Sequence, residues 1–360
     1  MFGIFKAAKP HTLTIEGAGE VIAELIVEPK ETILTAALRQ GIRFPHSCKA
    51  GGCATCKCKL VDGKIKELTS SAFILSSEDL DNGMVLGCQT QLRSDATIRI
   101  DSLVAGFATP VLQKGIIIAK RMLTHDITQI TVTLPEAIAY QAGQYAQVSV
   151  PSIAAGSRSY SFATPAQGNE VMFFIRQVPN GEVSGWMKEQ AAAGDEIEID
   201  GPYGDFYLRN GNGALLMVAG GSGLAPILAM LEEALNFKTE RDLVFIFGAR
   251  TQQDLYALNL IQRIAQNWAG TFQFIPVLSA EPEDSDWQGA RGFVTDHIDS
   301  LGNHFTQTYM CGPPPMLDAV ESYLKEHKLS PEGIYSDRFL DRSYTIQTTK
   351  NVASSQEVKA

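Results

Sequence analysis

Six cysteines occur in the 360-residue sequence, and five of them fall between positions 48 and 88. Three follow the spacing Cys48-x4-Cys53-x2-Cys56, and Cys88 comes 32 positions after the last of these. Four thiolates can converge on two irons when three share one tight loop and the fourth comes from a separate segment. We therefore predict a [2Fe–2S] cluster that is bound by these four cysteines.

A structural zinc site is the alternative interpretation of the same cysteines. Zinc sites usually show two CxxC pairs or added histidines at short spacing. This loop has neither pattern, and His46 is its nearby histidine. The fifth clustered cysteine, Cys58, is spare in the cluster pattern, and we expect it to be a small buried core residue.

Two further short segments carry residues suited to binding a flavin nucleotide. They are RSYS (Arg158, Ser159, Tyr160 and Ser161) in a predicted strand and GEVS (Gly181, Glu182, Val183 and Ser184) at a predicted helix start. Together they resemble the RxYS and GxxS signatures of the ferredoxin–NADP⁺ reductase superfamily. The resemblance implies FAD, with Arg158 on the pyrophosphate, Tyr160 stacked on the ring and Ser161 at the flavin N5. Gly181, Val183 and Ser184 would offer a helix N-terminus to phosphate.

A glycine-rich turn follows the apolar run LLMVA and precedes a helical pattern. Its candidate residues are Gly220, Gly221, Gly223 and Pro226. A turn of this kind at a strand–helix junction can place a pyrophosphate on the helix N-terminus. The turn is not the GxGxxG fingerprint, but it resembles the GGxGxxP variant of the same superfamily. A nicotinamide dinucleotide is the expected ligand.

The segment CGPPPM, which begins at Cys311, resembles the CGPPxM segment of that superfamily. The resemblance implies that Cys311, Gly312 and Pro313 lie beside the nicotinamide ring and that Cys311 helps to position its C4 for hydride transfer. Arg250 and Asp254 follow another apolar strand, where the adenosine ribose should lie. Arg250 could hold a 2′-phosphate, whereas Asp254 would repel one, and we expect NADH rather than NADPH.

The order of these motifs predicts a multidomain fold. We expect a β-grasp-like, plant-type [2Fe–2S] ferredoxin domain over 10–104, because alternating strands surround one short helix and the cysteine loop. Closely spaced strands predict an antiparallel β-barrel that binds FAD over 110–209. Apolar strands that alternate with helices predict an α/β parallel-sheet NAD(P)H domain over 212–345.

The segments FPHSCKAGGC, KELTSSA, RSYSF and FGARTQQDLY together resemble the reductase, or electron transfer, components of xylene monooxygenase and related bacterial multicomponent oxygenases. The resemblance implies electron flow from NADH to FAD to the [2Fe–2S] cluster and on to a separate hydroxylase, a non-haem di-iron hydrocarbon monooxygenase. A Rieske-type ring-hydroxylating dioxygenase is an alternative acceptor. A redox-sensing regulatory module is an alternative of another class, and it predicts missing flavin or nicotinamide motifs.

Composition limits the remaining classes of function. The formal net charge is −10, which disfavours non-specific nucleic-acid binding because that binding depends on phosphate neutralisation. We find no signal peptide and no apolar run long enough to span a bilayer. We therefore expect a cytoplasmic protein without a transmembrane segment, although its oxygenase partner could be membrane-bound.

Overall fold

The computed structural model describes residues 9–17, 20–42, 44–46, 51, 56–75, 77–100, 108, 110–298, 305–327 and 333–339. Within it the chain divides into two units. The first unit comprises residues 1–109 together with Tyr203–Asp205, and the second comprises 110–202 and 206–360.

The first unit is a mixed sheet with two short helices. Its elements are β1 His11–Gly17, β2 Glu20–Val27, α1 Ile33–Arg39, β3 Lys57–Asp62, β4 Ile65–Glu67, α2 Ser77–Asp81, β5 Met84–Leu86, β6 Thr90–Leu92 and β7 Ala96–Arg99. The main sheet has the order β2-β1-β7-β3-β5, and β4 pairs with β6 separately. Strands β1 and β7 are parallel, whereas β3 runs antiparallel to both of its neighbours.

Local sequence signals set the ends of α1. The Thr32 side chain accepts from the backbone N–H of Thr35 and so caps the first turn. Gly41 follows the helix with a φ of +77°, a conformation that favours glycine. Alternate residues of β1, including Leu13 and Ile15, share one hydrophobic core with the buried residues of α1. The alternating strands and the short helix that we predicted for this unit are thus both present.

An antiparallel barrel begins the second unit. Its elements are β8 Val111–Met122, β9 Ile127–Thr133, β10 Tyr145–Ser149, β11 Arg158–Ser161, β12 Glu170–Arg176, α3 Glu182–Glu189 and β13 Glu196–Tyr203. The six strands have the order β11-β10-β13-β8-β9-β12. An isolated bridge between Phe162 and Phe173 joins the two end strands, so the sheet nearly closes, as predicted. The helix whose start was predicted at the GEVS segment runs from Glu182 to Glu189.

A parallel sheet follows the barrel. Its elements are β14 Ala214–Gly220, α4 Leu224–Asn236, β15 Leu243–Ala249, α5 Leu258–Asn267, β16 Phe272–Leu278, β17 Ala290–Arg291, β18 Phe305–Gly312, α6 Pro314–Glu326 and β19 Gly333–Arg338. The strand order is β17-β16-β15-β14-β18-β19, and every pairing is parallel.

Both faces of this sheet are covered, as the apolar runs predicted. Leu215 and Met217 of β14 belong to the core on one face, and Leu216 and Val218 belong to the core on the other. Strands that are buried on both faces need no polar alternation, which explains the sequence pattern.

A short turn separates β15 from helix α5. Asp254 ends a 3₁₀ turn that is closed by a capping box with Thr251, and Ala257 has a left-handed φ of +58°. The chain therefore turns once before the helix starts at Leu258. Among the described residues, no helix is long and apolar enough to cross a membrane.

Candidate functional site

Two of the four predicted cluster ligands lie among the described residues. Cys56 precedes β3 and Cys88 follows β5, and both side chains are buried. The backbone N–H of Cys88 donates to Sγ of Cys56 at 3.5 Å, and Nε2 of Gln89 donates to Sγ of Cys88 at 3.7 Å. Hydrogen bonds to sulfur stabilise cluster thiolates, so these residues fit a [2Fe–2S] centre. Cys48 and Cys53 lie outside the described residues, and their roles stay predictions.

Cys58 lies in the core of the first unit, as we expected of the spare cysteine. It is fully buried and pairs with Val85 across β3 and β5. Burial, and secondly the neighbouring Cys88, raise the pKa of the Cys58 thiol to about 12. The side chain therefore behaves as a small apolar residue.

Strand β11 presents the predicted flavin residues at one edge of the barrel sheet. Nη1 of Arg158 donates to the carbonyls of Ala155 and Ser157 at 2.9 and 2.8 Å. These contacts fix the guanidinium plane, which suits bidentate binding of a phosphate. Ser159 accepts from Nε2 of Gln147 at 2.9 Å, so it supports the strand.

Tyr160 and Ser161 follow on the same strand and pair with Ala146 and Tyr145 of β10. Burial raises the pKa of Tyr160, with the charge of Arg158 opposing it in part. The phenol thus stays neutral and offers an apolar ring face for stacking. Ser161 is buried, and its proposed contact with the flavin N5 remains a prediction.

The start of α3 is built around Gly181 and Ser184. The Ser184 hydroxyl accepts from the backbone N–H of Val178 at 3.2 Å and donates to the carbonyl of Gly181 at 3.3 Å. A Cβ on Gly181 would lie 2.5 Å from Cγ2 of Val178, so the turn requires glycine. Val183 packs in the barrel core. No side chain caps this helix start, which leaves its amides suited to phosphate.

The glycine-rich turn lies between β14 and α4, as predicted. Gly220 ends the strand, a 3₁₀ turn covers Gly221–Gly223, and Pro226 falls in the first helical turn, where a missing N–H costs little. Gly221 has a φ of +56°. A Cβ on Gly223 would lie 2.3 Å from the carbonyl oxygen of Cys311. Close approach of two backbones is therefore the reason for glycine here.

Cys311 lies at the end of β18 and pairs with Ala219 beside the glycine-rich turn. A Cβ on Gly220 would lie 3.0 Å from Cδ of Pro313. The fold thus brings two motifs together that are about 90 positions apart in the sequence. Burial, and secondly the charge of Asp337, raise the pKa of the Cys311 thiol well above its usual value. A neutral, fully buried thiol can shape the site, but it is a poor nucleophile.

Tyr256 was not predicted from the sequence, although it supports the glycine-rich turn through a hydrogen bond. Its hydroxyl donates to the carbonyl of Gly221 at 3.0 Å, and its ring makes edge contacts with Phe174 and Phe247. Tyr256 belongs to the quoted segment FGARTQQDLY, but its residue type alone does not separate this role from ordinary core packing.

Arg176 was also missed, because an arginine at a strand end is usually a surface charge. Its Nη1 lies 3.8 Å from the place where a Cβ on Gly221 would stand. Its Nε donates to Oδ2 of Asp126 at 2.9 Å, and the Thr124 hydroxyl donates to Oδ1 of the same carboxylate. Burial raises the pKa of Asp126, but the hydrogen bond and charge of Arg176, together with the hydrogen bond from Thr124 and the charge of His125, lower it further than burial raises it, and the net pKa falls. The barrel thus holds a cation beside the glycine-rich turn.

The predicted adenosine residues lie just beyond β15. Both the backbone N–H and the hydroxyl of Thr251 donate to Oδ2 of Asp254, at 2.9 and 3.0 Å. Oδ1 of Asp254 lies 3.5 Å from Nδ1 of His125 and 3.9 Å from Nη2 of Arg250. The Arg250 side chain is 59% exposed. The Asp254 carboxylate therefore already has partners, while Arg250 faces solvent.

Comparison with known proteins assigns a domain to each of these sites. Residues 16–93 match a 2Fe-2S iron-sulfur cluster binding domain, 114–207 an oxidoreductase FAD-binding domain, and 217–322 an oxidoreductase NAD-binding domain. The chain is 40% identical over 342 residues to the xylene/toluene monooxygenase electron transfer component of Pseudomonas putida, covering 94% of this chain and 97% of that protein. The chain belongs to the iron–sulfur flavoprotein reductases of the ferredoxin–NADP⁺ reductase type.

Other proteins match over similar lengths. The 2-halobenzoate 1,2-dioxygenase electron transfer component of Burkholderia cepacia is 33% identical, covering 91% of this chain and 98% of that one. The crystal structure of a cytochrome P450 reductase from Amycolatopsis matches with a TM-score of 0.73 at 30% identity, covering 91% and 98% of the two chains. The predicted family, the fold class and the [2Fe–2S], FAD and nicotinamide cofactors are confirmed.

Proposed function

We propose that this reductase is the NADH-dependent component of a multicomponent oxygenase and delivers electrons to a separate hydroxylase, a non-haem di-iron hydrocarbon monooxygenase. The observation that carries the proposal is the full-length match to the xylene/toluene monooxygenase electron transfer component. The phenol 2-monooxygenase reductase component of a Pseudomonas strain is also similar, at 36% identity over 91% of this chain.

Each group of site residues is suited to binding one of the three cofactors. When bound, FAD accepts a hydride from NADH and releases two electrons, and a [2Fe–2S] cluster carries them one at a time. The two motifs around Gly223 and Cys311 orient the dinucleotide, and Arg176 adds positive charge beside its pyrophosphate. Arg158 and the start of α3 hold the FAD diphosphate. The sulfurs of Cys56 and Cys88, together with Cys48 and Cys53, bind the cluster.

A Rieske-type ring-hydroxylating dioxygenase is the second candidate acceptor. The similarity to the 2-halobenzoate 1,2-dioxygenase component favours it, as does the anthranilate 1,2-dioxygenase electron transfer component of Acinetobacter baylyi at 32% identity. The monooxygenase is preferred because the identity to its component is higher. A regulatory module that lacks electron transfer is disfavoured, since the described glycine-rich turn and flavin strand are intact.

Anaerobic titration with NADH tests the electron route. We expect the flavin absorbance to bleach and a rhombic S = ½ EPR signal from a reduced [2Fe–2S] centre to appear. Bleaching without the EPR signal would contradict the assignment of the cluster as the exit for electrons. NADPH in place of NADH is the matched control, and equal rates with both nucleotides would contradict the proposed NADH dependence.

Reconstitution with oxygenases tests the proposed acceptor. The reductase should support substrate hydroxylation by a di-iron hydrocarbon monooxygenase at a rate well above that with a Rieske dioxygenase. The opposite order would replace the first candidate with the second.

We also propose a cytoplasmic location. This location agrees with the buried thiols of Cys58 and Cys311 and with the use of a cytoplasmic nucleotide. Cell fractionation would test it.

A further inference from the structure

A two-stranded ribbon of the first unit lies next to the predicted cluster. Strands β4 and β6 form this ribbon, and they are antiparallel. Their pairing continues beyond both strands, because the backbone N–H of Arg93 donates to the carbonyl of Lys64 at 2.8 Å and that of Leu68 donates to the carbonyl of Gln89 at 2.7 Å. These bonds make each side of the ribbon five residues long.

Alternate side chains of the ribbon point to opposite faces. Ile65 packs against the core of the first unit, to which Leu92 belongs, and Thr90 is fully buried. The side chains that alternate with these therefore point away from the core. We call this set the ribbon face, and it consists of Lys64, Lys66, Leu68, Gln89, Gln91 and Arg93.

The ribbon face is positively charged, although the net charge of the chain is −10. Lys64, Lys66 and Arg93 are exposed. Within the described part of the chain, none of these three cations has a carboxylate within salt-bridge distance, and the ion pairs of the first unit involve other cations. The single acid of the ribbon, Glu67, lies on its other face and accepts a hydrogen bond from Ser71. The positive charge of the ribbon face is therefore available to a partner.

One end of the ribbon face adjoins the predicted cluster site. Nε2 of Gln89 donates to Sγ of Cys88 at 3.7 Å. A Cβ on Gly51, which belongs to the cysteine loop, would lie 2.7 Å from Cγ of Gln89. Leu68, which pairs with Gln89, is 50% exposed. Electrons leave a cluster where an acceptor approaches it closely, so the ribbon face lies where an acceptor can dock.

We infer that the ribbon face is the surface on which an acidic patch of the electron-accepting oxygenase component docks. This inference rests on the proposed function and deepens it, because it names the surface that meets the partner. Complementary charges steer the encounter and set the orientation of the two proteins. Leu68 supplies an apolar contact beside the cations, as in protein interfaces whose polar rim surrounds an apolar centre.

Charge reversal on the ribbon face tests the inference, with a reconstituted di-iron hydrocarbon monooxygenase as the acceptor. Lys66→Glu should raise KM for the hydroxylase component about fivefold at low salt, and the triple variant that also carries Lys64→Glu and Arg93→Glu should raise it more than about tenfold. Lys66→Arg keeps the charge and should keep KM. Lys238→Glu makes the same change of net charge at an exposed site of the second unit, and it should leave KM unchanged.

Three further measurements distinguish a docking role from damage to the fold. Reduction of ferricyanide by NADH and the EPR signal of the reduced cluster should be unchanged in the triple variant. Cytochrome c, whose surface around the haem is basic, should be reduced faster by the triple variant than by the wild type, whereas a destabilised protein would reduce both acceptors more slowly. Raising the salt concentration should raise KM of the wild type for the hydroxylase and narrow its difference from the triple variant.

The outcomes separate the inference from the proposed function. If the wild type supports hydroxylation and the triple variant behaves like Lys238→Glu, the inference is wrong and the proposed function stands. If the wild type supports no hydroxylation, the proposed function fails, and the cytochrome c measurement still decides the inference. An unchanged rate of cytochrome c reduction by the triple variant would then show that electrons do not leave across the ribbon face.

Discussion

The cluster site and the nucleotide site of this protein depend on different parts of the chain. The cluster site uses side chains, because the sulfurs of Cys56 and Cys88 are the predicted ligand atoms, and glutamine and backbone groups donate hydrogen bonds to them. The nucleotide site uses backbone groups. Its turn depends on the close approach of Gly223 to the backbone of Cys311 and on the hydrogen bond from Tyr256 to the carbonyl of Gly221. Substitutions should therefore inactivate the cluster site by removing a ligand atom, and the nucleotide site by displacing the backbone of its turn.

The two sites also allow two reactions to be measured separately: flavin reduction by NADH, and electron transfer through the cluster. The described cluster ligands belong to the first unit, whereas the nucleotide turn and the flavin strand belong to the second. Damage to one site should therefore leave the other reaction measurable. The following substitutions are ordered from the largest expected effect to the smallest.

Replacement of a cluster ligand should give the largest effect. Cys88→Ser removes one thiolate from the set of four, and cluster absorbance together with cytochrome c reduction should fall to background, while ferricyanide reduction by NADH stays within about twofold. Cys58→Ala is the matched control and should keep the cluster. Retention of an unchanged EPR signal in both Cys88→Ser and Cys88→Ala would show that Cys88 is not a ligand, because a serine oxygen can replace a thiolate whereas alanine has no donor atom.

A methyl group in the glycine-rich turn should disable the nucleotide site instead. Gly223→Ala would place a Cβ against the carbonyl of Cys311, and displacement of the turn should lower kcat/KM for NADH about a hundredfold, the scale of a misplacement of about 1 Å. Bound FAD and cluster absorbance should persist. Gly185→Ala is the control, since a Cβ there meets nothing within 4 Å; equal effects of both variants would contradict the close-approach argument.

Loss of the support beneath the turn should have a smaller effect. Tyr256→Phe keeps the ring and deletes the hydrogen bond to Gly221, which contributes about 1 kcal/mol. We expect KM for NADH to rise about fivefold with little change in kcat. Stopped-flow reduction of the flavin at several NADH concentrations would measure both, and an unchanged KM would rule out the supporting role.

Loss of the Glu31–Arg39 ion pair should have the smallest effect, a decrease in the stability of the first unit that depends on pH. Glu31 accepts from Nε and Nη2 of Arg39 at 2.8 Å each, and this hydrogen bonding lowers the pKa of Glu31 below 4.5. A lowered folded-state pKa stabilises the fold above pH 4.5, and the contribution is lost as the pH falls through the lowered pKa. Glu31→Gln should cost about 1 kcal/mol at pH 7, because Arg39 is partly exposed, and less at pH 3, where Glu31 of the wild type is more protonated; thermal melts at both pH values would measure the difference.

Much of this architecture could be predicted because its signals are local. The cysteine spacing, the glycine-rich turn and the apolar runs each depend on neighbouring residues, and the family comparison confirms the domains to which they belong. The contacts of Arg176 and Tyr256 could not be predicted, because each depends on a partner that is distant in the sequence. Asp254 illustrates the same limit, since its spacing indicated a ribose ligand but not its engagement with Thr251 and His125.

The burial of Cys311 also affects how resistant the protein is to oxidation during turnover. Reduced flavoproteins leak electrons to dioxygen, and the peroxide that forms attacks thiolates rather than protonated thiols. Cys311 is fully buried, and its pKa is held well above the usual value. The thiol that we predict beside the nicotinamide is thereby shielded from peroxide formed during the protein's own turnover, and oxidative damage should begin at more accessible sulfurs.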